Sequence, residues 1–133
     1  MKSKIVILAS VLMIVTASAF NVMQKEPWIV PDKDAKVANP VKSSAESISD
    51  GKTLWSTHCQ SCHGTKGLGD GKKAETLKTE PGDFSKADVQ KQSDGSMFYK
   101  ISEGRKDMPS FKKKITDADD IWNLINFIRT LKK

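Results

Sequence analysis

With 133 residues, 38% of them hydrophobic and 29% charged, the chain has material for one small domain plus extensions and not for two domains. Its formal charge of +6 comes without a dense Arg/Lys stripe interleaved with aromatics, which argues against nucleic acid as a partner. Mild basicity suits an acidic protein surface or an anionic membrane instead.

Lys2 and Lys4 precede an apolar run over residues 5–15, and the small residues Ala17, Ser18 and Ala19 follow. This is the layout of a secretory signal peptide with an A-x-A cleavage site at its end, covering residues 1–19. No charge occurs over residues 5–24, and a helix of that length spans about 30 Å, so an uncleaved membrane anchor is the alternative. Both readings export the chain: it is expected in a periplasm, soluble after cleavage or tethered to the inner membrane. Without residues 1–19 the balance is 20 basic against 16 acidic side chains, or +4.

Residues 20–46 carry Pro27, Pro31 and Pro40 among Lys, Asp, Ala and Asn, without apolar periodicity, and read as a linker or wrapping arm in extended conformation. Trp28, Ile29 and Val30 stand out there. Three large apolar residues together pack either on the domain's own surface or on a membrane or partner.

The folded domain is expected over residues 47–133. Ser47 or Ser49 is a candidate N-cap for a helix from about Asp50, with Leu54 and Trp55 on its apolar side and Gly51 where another helix crosses closely. At its end stands Cys59-Gln60-Ser61-Cys62-His63, holding both cysteines of the chain and one of its two histidines. Positions i and i+3 share a helix face, so two thiols there can each bond one vinyl group along a flat porphyrin, and the next residue is carried beneath the ring. C-x-x-C-H is the attachment signature of c-type haem, with His63 as proximal iron ligand. A structural zinc site wants four ligands and a thioredoxin-like pair wants a preceding strand; a plain structural disulfide is the remaining alternative. His58, next to an anchored cysteine, cannot reach the distal face without breaking the helix.

Gly64-Thr65-Lys66-Gly67-Leu68-Gly69-Asp70-Gly71 lacks the strand and the Gly-Lys-Ser/Thr ending of a phosphate loop and reads as tight turns leaving the haem helix. From there to Ser93 the large apolar residues are only Leu68, Leu77, Phe84 and Val89. Such a stretch makes no core of its own and must fold over an apolar group from outside, a role a porphyrin fits. A helix from about Asp94 to Glu103 follows, capped by Ser93 and stopped by Gly104, with Met97, Phe98 and Ile101 on its buried face. Met97 is core by spacing. Met108 differs: it sits in a loop, is stiffened by Pro109, and lies 45 residues after His63, far enough for the chain to wrap round a ring edge. It is the candidate distal ligand. The last helix begins at a capping-box-like Thr116-Asp117-Ala118-Asp119, and Ile121, Leu124, Ile125, Ile128 and Leu131 form one stripe, widened by Trp122 and Phe127 and aimed at Gly51 and Trp55.

These residues resemble the small monohaem cytochromes c with His/Met ligation, over about residues 47–133. Cys59, Cys62 and His63 match the attachment motif, Gly64-x-x-Gly67-x-Gly69-Asp70-Gly71 is similar to the loop after it, and Gly104 through Met108-Pro109 to the methionine loop. Gly51 and Trp55 match the small and aromatic positions of the family's first helix, with Leu124 and Phe127 as crossing partners. Pro81-Gly82-Asp83-Phe84 is similar to the segment lining the haem edge. The resemblance implies an all-α fold of three to five helices round one covalent haem c, the N- and C-terminal helices crossing, and Pro81 as carbonyl acceptor for the second ring nitrogen of His63. It implies a one-electron carrier of a respiratory chain, not an enzyme. With imidazole and thioether both in place, no iron position is vacant for a substrate. Lys66, Lys72, Lys73, Lys106, Lys112, Lys113 and Lys114, in loops near the haem-binding stretches, are either solvated or a ring that steers an acidic redox partner. Two further readings stand beside the carrier: a haem-bearing accessory subunit of a membrane oxidoreductase, and a ligand-binding or sensor haem protein in which Met108 dissociates. Monomer and subunit of a larger complex are both compatible with the chain.

Overall fold

The structure is a computed structural model that describes residues 26–133. The expected export segment and the whole charge-free span over residues 5–24 lie outside the described residues.

Pro31 opens a single turn, α1 (Asp32–Ala35). Next comes α2 (Ala45–Leu54), which runs without a break through a π-helical turn (Trp55–Cys59) into α3 (Gln60–His63). A 3₁₀ turn (Ala74–Thr76), the short α4 (Ala87–Gln90), α5 (Asp94–Glu103) and α6 (Ala118–Arg129) complete the chain. The described residues contain no strand, only an isolated bridge between Arg105 and Met108. This is the expected all-α fold, with five helices when α2 through α3 is counted as one.

Two helix starts differ from the sequence reading. Helix α2 begins at Ala45 and not near Asp50, because Ser44 is its cap: extended there, it accepts a hydrogen bond from the Ser47 amide at 3.1 Å. Ser47 is unavailable as a cap, being inside the first turn and 5% exposed, with its hydroxyl accepting from Asn126 Nδ2 at 2.8 Å. In α6 the cap is Asp117, not Thr116. Its carboxylate accepts from the Asp119 amide at 3.0 Å, placing negative charge at the positive end of the helix dipole. For α5 the expected cap and stop both hold: Ser93 accepts from the Ser96 amide, and Gly104, at φ 69°, ends the helix.

The N- and C-terminal helices cross as expected, at Gly51. A Cβ built there would lie 2.1 Å from the Asn123 carbonyl oxygen and 2.9 Å from Phe127 Cβ, so only glycine lets α2 and α6 approach this closely. Trp55, one turn on, meets Phe127 with ring centres 5.8 Å apart. Trp55, Leu124 and Ile125 are the most deeply buried large side chains. Met97 and Ile101 of α5, Phe111 and Ile115 of the following loop, and Ile121, Trp122, Phe127 and Ile128 of α6 join them in one core. Phe98 stacks on Trp122 at 4.3 Å. Met97 is core, as its spacing requires.

Two polar networks set the register of this core. Asn126, buried on α6, donates to Ser47 Oγ and to the Val41 carbonyl (3.2 Å) and accepts from Asn39 Nδ2 (2.9 Å), tying the segment before α2 to the last helix. Arg129 reaches across to Asp94 Oδ1 and to the Gln90 and Gln92 carbonyls, anchoring the turn between α4 and α5.

Candidate functional site

Cys59 ends the π turn, and Cys62 and His63 lie on α3, so the motif sits at the closing end of the long helix. The helix stops at Gly64, whose φ of 81° is accessible to glycine without strain. Its final carbonyls would be orphaned were it not for the Gly-rich loop, which turns back beneath them. Gly69 donates to the His63 carbonyl (2.9 Å), Gly71 to that of Cys62 (3.2 Å) and Lys73 to that of Ser61 (2.8 Å). Trp55 Nε1 donates to the Gly64 carbonyl at 3.0 Å, locking the loop to the core. A turn motif read from sequence is thus the device that fixes the direction of α3.

The imidazole of His63 is held between Phe84 (ring centres 5.0 Å apart, edge-on) and Trp55 (5.7 Å). Burial pushes its pKa down, and the Pro81 carbonyl acts in the opposite direction. Nδ1 is buried with no hydrogen-bond partner in the protein. Cys59 and Cys62 are free thiols. Burial, with a smaller push from the neighbouring Cys62, raises the Cys59 pKa to about 12, so it rests as the neutral thiol in apolar surroundings.

Met108 comes from the opposite direction in sequence. After Gly104 a four-residue turn closes on itself: the Arg105 amide donates to the Met108 carbonyl (2.8 Å) and the Met108 amide returns to the Arg105 carbonyl (3.0 Å). Lys106 takes the left-handed conformation at φ 53°. Asp107 Oδ2 accepts from both the amide (2.9 Å) and the hydroxyl (2.5 Å) of Thr79, which holds the carboxylate's pKa below its ordinary value and ties the turn to the segment carrying Pro81.

Cys59, His63, Pro81 and Met108 all line one cavity of about 150 Å³. Apart from Gln92 and Lys100, its other walls are apolar side chains, with Phe84 and Val89 from the apolar-poor stretch, Ile101 from α5 and Leu124 and Ile128 from α6. Leu124, read from sequence as a crossing partner of the first helix, is a wall residue, and Gly51 meets Asn123 and Phe127. Cys62 is half-exposed, with Sγ 3.9 Å from Ser61 Oγ, and does not line the cavity. His58 points its ring at Phe111 (5.9 Å) and stays out of the cavity.

Two polar wall residues escaped the sequence reading. Lys100 and Gln92 both line the cavity, and Lys100 Nζ donates to Gln92 Oε1 at 2.5 Å. Burial, and secondarily Arg105, lowers the pKa of that amine. The available signal was the spacing of Lys100 three residues after Met97, which places both toward one face of α5. Of the loop lysines, Lys106 pairs with Glu26 at 2.9 Å and Lys112 with Glu103, and Lys114 Nζ stands 5.5 Å from the Phe111 ring centre.

This donor set fits a haem c. Two free thiols stand at the end of one helix, an imidazole offers a buried nitrogen without a protein partner, and a thioether opens onto the same apolar cavity.

The family model for cytochrome c matches residues 48–132. Among solved structures, the chain is similar to one from the Kuenenia stuttgartiensis reducing HAO-like protein complex Kustc0457/Kustc0458, at 24% identity and a TM-score of 0.65. That alignment covers 84% of this chain and 53% of the other, so this chain spans about half its length. It is also similar to the KustC0563 c-type cytochrome, at 34% identity and a TM-score of 0.56, over 63% of this chain and 99% of that one. The comparison with curated proteins gives no significant match. The family match takes in Cys59, Cys62, His63, Pro81 and Met108 together with every helix from α3 to α6, and the chain belongs to the cytochrome c family.

Proposed function

We propose that this protein is an exported one-electron carrier with a single haem c, held by thioether bonds from Cys59 and Cys62 and ligated by His63 and Met108. The observation that carries the reading is the convergence of an unpartnered buried imidazole and a loop methionine on one apolar cavity. When bound, haem c supplies a one-electron iron couple, and a thioether ligand favours the reduced state relative to a second imidazole. The chain's own residues do the rest. Phe84 and Trp55 fix the plane of His63, and the Pro81 carbonyl, which acts against burial on its pKa, lies on the same cavity wall. Phe84, Val89, Ile101, Leu124 and Ile128 exclude water, and the Arg105–Met108 turn presents the sulfur. The carrier serves a respiratory chain and meets its partner through exposed loop lysines such as Lys66, Lys72 and Lys73. Export rests on the layout of residues 1–19.

The test is the visible spectrum of the haem-loaded protein, oxidised and reduced, followed by carbon monoxide on the reduced form. A low-spin spectrum with the Met-to-ferric-iron band and no response to the gas is expected. Ready uptake of carbon monoxide would move the sensor reading, in which Met108 dissociates, to first place. An electron-transfer rate to the partner that ignores ionic strength would remove the lysine-steering part.

A specific observation favours a second reading, a subunit fixed in an oxidoreductase complex. The structural alignment with the chain of the HAO-like complex covers 84% of this protein, which takes in arm residues that precede the family-matched span, whereas that with the KustC0563 cytochrome covers 63%. Copurification with larger subunits distinguishes fixed subunit from diffusing shuttle.

A further inference from the structure

The arm preceding α2 lies antiparallel to α5 and is fixed at both ends of that helix. At the start of α5, a Cβ on Gly95 would lie 2.2 Å from the Asp34 carbonyl oxygen and 2.7 Å from that of Val37, so α1 is seated directly on the helix backbone. Ser93 Oγ donates to the Ala35 carbonyl at 2.6 Å. Beyond the end of α5, Arg105 takes three contacts from the arm. Nη1 donates to the Pro27 carbonyl (3.0 Å), Nη2 donates to that of Glu26 (3.2 Å), and Cζ lies 4.9 Å from the Trp28 ring centre. Lys100 Nζ lies 5.5 Å from the same ring.

Arg105 is also the residue whose main chain closes the Met108 turn through both of its hydrogen bonds. The turn itself is held by two backbone bonds, the Asp107–Thr79 contact and the packing of Met108 on the core, and just after it the Ser110 hydroxyl and Phe111 amide tie the chain to the Ser102 and Ile101 carbonyls. Against these stands a lysine in the left-handed region, which non-glycine residues seldom adopt. We propose that residues 26–30 are a strap in which Trp28 clamps Arg105 and thereby holds the Met108 turn, making Trp28 and Arg105 positioning residues for the distal ligand. The inference rests on the proposed His63/Met108 ligation. Within the strap the contacts rank by physics. A guanidinium over an indole, with its fork on two carbonyls, is preorganised by its planar geometry and loses less side-chain freedom per bond than a flexible ammonium does. The Glu26–Lys106 pair, with side chains 76% and 50% exposed, is a solvated ion pair and contributes little.

The experiment compares the haem-loaded full chain with Trp28→Ala, Trp28→Phe, Arg105→Lys and Glu26→Gln. It reads carbon monoxide association with the reduced form, the Met-to-ferric-iron band in rising denaturant, and hydrogen exchange at the Arg105 and Met108 amides. Trp28→Ala is expected to bind carbon monoxide about ten-fold faster, to lose the band at lower denaturant and to exchange both amides faster. Trp28→Phe should restore most of the protection, Arg105→Lys should fall between, and Glu26→Gln should match the parent. If Trp28→Ala melts earlier but keeps the parent's gas kinetics and amide protection, the arm only braces α5 and the strap is overturned. If the parent itself lacks the band and takes up carbon monoxide freely, the ligation reading fails first and the strap falls with it. Should Trp28→Ala load haem poorly, Gly95→Ala, which pushes α1 off the opposite end of α5, must raise the gas rate in the same direction or the proposal is wrong.

Discussion

Replacing Gly51 by alanine sets two opposed effects against each other, and the structure says which wins. Inside an exposed helix the change would stabilise by about 1 kcal/mol through backbone entropy. Here the new Cβ would stand 2.1 Å from the Asn123 carbonyl oxygen and 2.6 Å from its carbon. A carbon and a carbonyl oxygen settle no closer than about 3.3 Å, so α2 and α6 must separate by roughly 1 Å. That opens the most deeply packed seam in the protein, where Trp55 meets Phe127 and Leu124 and Ile125 are fully buried. Overpacking of this kind costs about 1–3 kcal/mol, and lost contact along the seam adds to it. We expect a net loss of about 2 kcal/mol and a melting temperature lower by roughly 8–16 °C for a domain of this size. The measurement is guanidinium and thermal unfolding of the haem-loaded protein by far-UV circular dichroism. Adding Phe127→Leu should not rescue the variant, because the nearest atoms belong to the Asn123 main chain, which no substitution removes. A Gly51→Ala protein about 1 kcal/mol more stable than the parent would refute the close crossing.

Asn126→Leu should cost about 1–3 kcal/mol in denaturant unfolding, because Asn39, Ser47 and the Val41 carbonyl all lose a buried partner at once. Arg129→Met keeps the apolar stem but drops the Asp94 ion pair and the bonds to Gln90 and Gln92; a loss of about 2 kcal/mol is expected, with faster hydrogen exchange between α4 and α5. The Asp107 carboxyl titrates below its ordinary 3.8 when folded because Thr79 donates to its charged form, so its contribution is complete above that pH and lost as pH falls through the lowered value. Acid titration of the Met-to-ferric-iron band should therefore show a shallower acid limb in Asp107→Asn than in the parent. Asp83, whose pKa is lowered by the Ser85 hydroxyl and amide, leaves a residual slope of the same sign.

The signals that could be read from residues alone were those written in local chemistry or in period. The place of C-x-x-C-H at the end of its helix, the 3- and 4-residue spacing of α6, the Ser93 cap and Gly104 stop of α5, and Gly51 as a crossing point all reappear in the fold. The start of α2 was placed too late because Ser47 and Ser49 are by residue type as good caps as Ser44, and only the buried bond from Asn126 shows that Ser47 lies inside the helix. That bond spans 79 residues of sequence, beyond any local pattern. Lys100 and Gln92 were missed for a similar reason: a charged residue on a helix reads as solvated unless the cavity it lines is known. The arm's route was equally hidden, since the glycine that admits α1, Gly95, looks in sequence like an ordinary weak spot in a helix.

The two candidate ligands are held by different kinds of structure, and the difference fixes where the site can open. His63 ends a helix that is continuous from Ala45, crosses α6 at its tightest point, and has its last carbonyls satisfied by the returning glycine loop. Moving it means breaking the core. Met108 sits in a four-residue turn outside any helix, and its tethers are separate: the Thr79 bond to Asp107, the two Arg105 main-chain bonds, the bonds of Ser110 and Phe111 to the end of α5, and the arm's contacts with Arg105 and Lys106. Local opening draws on the elements with the fewest buried contacts, so fluctuation at this site is confined to the Met108 side. A partner that pulled Trp28 away would therefore act on the Met108 turn alone and leave His63 in place. This asymmetry follows from the chain order, in which the C-x-x-C-H motif closes α3 and the methionine follows α5 on a loop.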